Sequence, residues 1–107
     1  MLNNLPNKQL LKEMEHELVV TARGDSLKDV TGKLFQIMRK QIFMDIQQPI
    51  IQMEAEEVFF QKVETKTITE HFLFVFWPRE KTTYTVTARI VVKVKYLDVV
   101  EEDLTDG

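Results

Sequence analysis

The 107-residue chain has no cysteine, only three glycines and three prolines, and a single serine and a single tryptophan. The missing cysteine excludes disulfides, thiol catalysis and thiolate metal sites together, and it fits a reducing compartment. Gly24, Gly32 and Gly107 are too scattered to form a phosphate-cradling loop. Long apolar runs are also missing. The longest, Phe72 to Trp77, has six residues, where a membrane-spanning helix needs about 20. Met1 to His16 is polar, mixed in charge and without an apolar stretch of signal-peptide length. The expectation is therefore a cytoplasmic protein with no membrane partner.

The net charge is small as well. Seventeen acidic against fourteen basic residues leave a net charge of −3, which gives no electrostatic reason to expect nucleic acid. The local distribution is uneven: Glu54 to Glu57 and Glu101 to Asp103 are acidic, whereas Arg89, Lys93 and Lys95 make the last strand basic. Neutralisation across a sheet accounts for such a pattern. His16 and His71 have no second ligand at helical or hairpin spacing, so no metal site is indicated. Ser26, the only serine, suits a helix cap better than a nucleophile elbow. No cofactor and no catalytic residue are expected, and the chain is poor material for an enzyme.

The size and the 44% apolar content suit one globular domain over residues 1–107. Such a chain buries roughly 65% of its unfolded surface and needs no staples. Residues 1–14 are either a short helical arm or a tail, and 98–107 read as a flexible acidic tail. Glu15 to Arg23 alternates, with His16, Leu18 and Val20 on one side, and predicts a strand. Ser26 caps a helix over about 26–44, whose apolar stripe is Leu27, Val30, Leu34, Ile37, Met38 and Ile42. Pro49 ends the helical region. Ile51, Met53 and Ala55 then alternate into a second strand, with a bulge or bend at Glu56-Glu57. Tyr84 to Tyr96 holds seven apolar residues in strict period two. Together with Thr65 to Trp77 it predicts a long hairpin of about 64–77 with 83–96, turning at Pro78 to Lys81. The fold class is α+β: one helix on a three- or four-stranded antiparallel sheet, in β-α-β-β or β-α-β-β-β order.

Matching faces across that hairpin sets Trp77 opposite Thr83, Phe72 opposite Ala88 and His71 opposite Arg89. Leu73, Val75 and Trp77, with Val91 nearby, then form an apolar patch on the face away from the helix, beside Thr83, Thr85 and Thr87. Patches of that kind mark partner surfaces, and self-association through this free sheet face is the expectation. The other reading is that the N-terminal arm or the stretch around Val58 to Phe60 folds over it. Trp77, Arg79, Lys81 and Arg89 also suit stacking on a base or a flavin ring, or a plain hairpin tip with solvated charges. Glu70 falls on the core face beside Ile90, either at a parity-changing bulge or as a buried carboxylate.

Two resemblances accompany these residues. The order strand, Gly-Asp-Ser cap, helix, strand, hairpin, with the ending YTVTARIVVKVKYLD, is similar to dodecins, which implies a flavin-binding shell. Here, however, the strand after the helix reads PIIQMEAEEV and has no tryptophan to stack on a flavin. The string EHFLFVFWPREKTTYTVTARIVVKV resembles an uncharacterised family of bacterial proteins of about 100 residues, which implies a bacterial cytosolic setting and no particular activity. The functional expectation is a non-enzymatic, homo-oligomeric structural or binding protein. The alternatives are a small-ligand, flavin-like module and an accessory subunit of a metabolic enzyme. The candidate face is Leu73, Val75, Trp77, Arg79 and Arg89.

Overall fold

A computed structural model describes residues 9–72 and 77–99, with side chains at 9–69 and 79–99. Four elements follow one another: β1 (Leu11–Gly24), α1 (Leu27–Asp45), β2 (Ile50–Phe72) and β3 (Trp77–Leu97). The sheet order is β1-β3-β2, with both neighbouring pairs antiparallel. The helix thus crosses from one outer strand to the other, and the last strand slots between them as a split β-α-β unit. The α+β class and β-α-β-β order agree with the alternation in the sequence. The open question about residues 11–14 is answered as strand, because Leu11 to Met14 pair with Leu97 to Val94.

Only Asp25 and Ser26 separate β1 from α1. The Ser26 hydroxyl accepts from the Asp29 amide at 3.0 Å, supplying a partner for one otherwise unpaired donor of the first turn, and its carbonyl accepts the first intrahelical bond, from Val30, at 3.0 Å. A β-carbon at Gly24 would displace the Asp29 carboxylate, which can turn away, and would lie tightly, at 3.1 Å, against Val30. The short link keeps α1 over β1 and β3. Val30, Leu34, Met38 and Ile42, at four-residue steps, are its buried face. They meet Leu18, Val20 and Ala22 of β1 and Val86 to Val94 of β3. Leu27 and Ile37, expected in the stripe, flank it and are exposed. No described helix is long and apolar enough to cross a membrane.

The hairpin differs from expectation in register. Lys66, not Trp77, faces Thr83; Phe60, not Phe72, faces Ala88; Phe59, not His71, faces Arg89. The slip is eleven positions at Thr83 and twelve at Ala88 and Arg89, because the Phe60/Lys62 irregularity lies between them, so the faces of β2 exchange only beyond that irregularity. Pro78 to Lys81 lie inside β3 opposite His71 to Ile68 rather than in a turn. What looked like two strands is one continuous β2 with irregularities at Ile50/Gln52, Ala55/Glu57 and Phe60/Lys62, the middle one at the expected Glu56-Glu57 position. Glu70 lies opposite Arg79, while Val58 faces Ile90. One physical reason is visible at Ile90: this register sets the apolar Val58 opposite it, where the expected one set the charged Glu70.

β1 stops at Gly24 opposite Tyr84, but β2 and β3 continue as a two-stranded arm to Phe72 and Trp77. The molecule measures 78 × 27 × 15 Å and its radius of gyration is 21.8 Å, against about 13 Å for a compact chain of this length.

Candidate functional site

Three rows across the sheet define the site. Leu18, Ile90 and Val58 lie side by side, as do Val20, Ala88 and Phe60, and then Ala22, Val86 and Val63. Directly opposed residues share a face, so all nine point to the helix side. In every row the β1 and β3 members are buried and the β2 member is not: Val58, Phe60 and Val63 are 40%, 47% and 50% exposed. The helix covers two strands and leaves the third bare.

Toward the start of β2 this bare strip runs into a groove of about 480 Å³ between helix and strand. Phe35 and Phe43 line it from α1, and Ile50, Ile51, Met53 and Ala55 from β2. Arg39 is the charged residue at its wall. Phe43 and Ile51 are more than half exposed. The result is one apolar strip along β2 on the helix side of the sheet.

The opposite face is mixed, with exposed Val19 and Phe59 among polar and charged residues. Thr21 and Thr87 share a hydroxyl hydrogen bond of 3.0 Å. Arg89 donates to Glu17 at 2.9 Å and lies 4.7 Å above the Phe59 ring. Lys93 is 3.8 Å from Glu56, and Lys95 is 3.8 Å from Glu13. The basic stripe of β3 is thus neutralised by its neighbouring strands, as the charge pattern suggested; such exposed pairs contribute little stability. Val91 sits between Glu17 and Glu57 in its row rather than in an apolar patch.

Leu73 and Val75 lie outside the described residues. Trp77 pairs with Phe72, and Arg79 lies opposite Glu70 in the arm. Arg89 lies ten positions from Arg79, about 33 Å along the strand, between Val19 and Phe59. Sequence reasoning missed Val58, Phe60 and Val63 as a surface. They were visible only as a covering segment, because the bulges at Glu56 and Gln61 hide their common face in the linear pattern.

His16 has a partner after all. Its Nε2 lies 2.9 Å from Oδ2 of Asp45 at the end of α1, and Gln41 donates to the other carboxylate oxygen at 2.8 Å. The His16 hydrogen bond, and after it that of Gln41, holds the Asp45 carboxyl below its ordinary value of 3.8. No group of three or more His, Asp or Glu able to hold a metal ion occurs among the described residues.

Fold and surface together define a small α+β protein with a split β-α-β sheet and a half-covered helix side. Residues 14–97 match the family described as Domain of unknown function (DUF4312), and the chain belongs to that family. This agrees with the resemblance to a family without an assigned activity. No curated protein and no solved structure matches the chain, so the dodecin resemblance gains no support.

Proposed function

We propose that this protein is a non-enzymatic, self-associating structural or binding module whose assembly covers the helix-side strip of β2. The observation that carries the proposal is the exposed third member of each row: Val58, Phe60 and Val63, continuous with Phe43 and Ile51. With about 200 Å² for a whole aromatic side chain, the strip exposes about 500 Å² of apolar surface, at the upper end for a monomer. Covering it contributes about 12 kcal/mol before an association cost of about 4–15 kcal/mol. A bacterial cytoplasm is the setting this reading assumes; the family resemblance implies bacteria, and the missing cysteine fits a reducing compartment.

Native mass by light scattering tests the proposal. The wild type is expected to be an oligomer at micromolar concentration, and Phe60→Lys to shift it toward monomer while the far-UV circular dichroism stays unchanged. A wild-type monomer would overturn self-association and direct attention to an accessory role on another protein.

The groove itself supports a second reading as a small-ligand module. Its volume of about 480 Å³ lies within the usual range for ligand sites, and its apolar lining is interrupted by Arg39 and Gln52. A flavin-like occupant would announce itself as visible absorbance in the purified protein. Colourless protein that gains none on addition of free flavin would remove the flavin version.

A further inference from the structure

Self-association through a bare strip does not by itself say how two copies meet, but the edge of β2 carries a charge pattern that does. We propose that residues 62–68 of β2 pair antiparallel with the same residues of a second copy, centred on Thr65, joining two three-stranded sheets into one of six strands. The proposal rests on the self-association reading above and adds an edge contact to it; of the helix-side strip only Val63 enters this seam.

β2 is an outer strand, and its side away from β3 has no neighbouring strand among the described residues. From Ile50 to Lys62 it is broken by three register shifts, whereas from Lys62 to Phe72 its ladder with β3 is regular. Bulges bend an edge away from intruding strands, and a regular stretch leaves it open to pairing. Only the distal half of β2 offers such a stretch. It is also where support is thinnest, since beyond Gly24 the sheet has two strands among the described residues. Two-stranded ribbons are marginal in water and three strands are not. A partner's β2 would restore the third strand.

Charge then selects the register. Two identical antiparallel strands related by a two-fold axis pair residues of the same face. On the face away from the helix, Lys62, Glu64, Lys66 and Ile68 follow in turn, opposite Thr87, Thr85, Thr83 and Lys81 of β3. A centre at Glu64 sets that glutamate against itself and Lys62 against Lys66. A centre at Lys66 sets lysine on lysine. A centre at Val63 draws the Phe60/Lys62 bulge into the ladder. The centre at Thr65 places Glu64 opposite Lys66 twice, Lys62 opposite Ile68, and Val63 opposite Thr67 on the helix side. Opposite charges across a strand pair attract and like charges repel. Glu64 and Lys66 are both exposed, as are Val63, Thr65, Thr67 and Ile68. The competing register is centred on Ile68, with Lys66 opposite Glu70.

The free edge of β3 beyond Gly24 is the poorer seam. Its residues include Pro78, which lacks an amide donor, followed by Arg79, Glu80 and Lys81. Proline and charge are the usual devices that keep an edge unpaired.

The lack of native cysteine makes a single introduced thiol a clean probe. In full-length Thr65→Cys the two sulfurs meet on the two-fold axis, where opposed Cα atoms lie about 4.5–5.5 Å apart, within disulfide range. An added thiol oxidant is expected to convert most of this variant to a covalent dimer. Thr67→Cys is expected to remain unlinked, its thiols being about 13 Å apart along the strand. Glu64→Lys and Lys66→Glu are each expected to raise the dimer dissociation constant about tenfold, and the double exchange to restore it. An oligomeric wild type that cross-links through Ile68→Cys but not Thr65→Cys, or that ignores the charge reversals, overturns this register and leaves self-association standing. A monomeric wild type removes both.

Discussion

Asp45 occupies the last turn of α1, where the helix carbonyls already place partial negative charge and no basic residue of the helix offsets it. His16 supplies the missing partner from β1, which fastens the far end of the helix to the sheet. Because the Asp45 pKa is lowered in the folded protein, its contribution is fully present above the ordinary value of 3.8. It is lost as pH falls through the lower folded value. The expected result is that Asp45→Asn lowers the urea midpoint at pH 6, and that this difference from wild type shrinks steadily at and below pH 3. A difference of equal size at both pH values would show that the carboxylate charge has no part in the contact. The pairing was invisible in the sequence. His16 and Asp45 are 29 positions apart, and their meeting depends on where the helix axis settles over β1.

Among the elements, α1 is held by a narrow row of four side chains, of which Val30, Leu34 and Ile42 are essentially inaccessible. Leu34→Ala is expected to cost about 2–5 kcal/mol in chemical denaturation, by lost burial and the cavity left behind. Leu27→Ala, on an exposed flank residue, is expected to change stability far less. The row spacing was legible in advance because helical periodicity is local; which flank residues stay outside was not, since that depends on the width of the sheet beneath. The arm of β2 and β3 is the element with least support. Its ladder includes a Thr67–Thr82 hydroxyl contact of 3.2 Å and lies beyond the third strand. Its backbone is expected to exchange amide hydrogens much faster than Val86 to Val94 in dilute protein. Residues 66–69 should become slower as concentration rises and copies associate. Exchange independent of concentration would argue against any association along the arm.

At the scale of the molecule, the radius of gyration of 21.8 Å is that of a ribbon rather than a ball. One helix and three unequal strands cannot close around a single core. The helix packs on β1 and β3, the outer strand β2 runs bare beside it, and the hairpin outreaches both. Each feature leaves the same strand exposed. An apolar strip on its helix side and a charge-alternating edge on its flank make β2 the strand through which the protein is expected to meet its own copies.

What the amino-acid sequence determined by itself is the local content: one capped helix, strand character along β1, β2 and β3, the inward set of β3 and the absence of thiol or phosphate-loop chemistry. These follow from periodicity, capping and composition, which act over a few residues and are read directly. The register of β2 against β3, and with it the location of the exposed apolar surface, was decided only by the tertiary structure. The aromatic run ending at Trp77 and the Pro78 to Lys81 stretch resemble a strand and its turn. Three bulges and the burial of Ile90, Ala88 and Val86 under the helix select a different pairing. A register is a sum over a whole ladder of distant contacts, and an odd slip turns one face into the other.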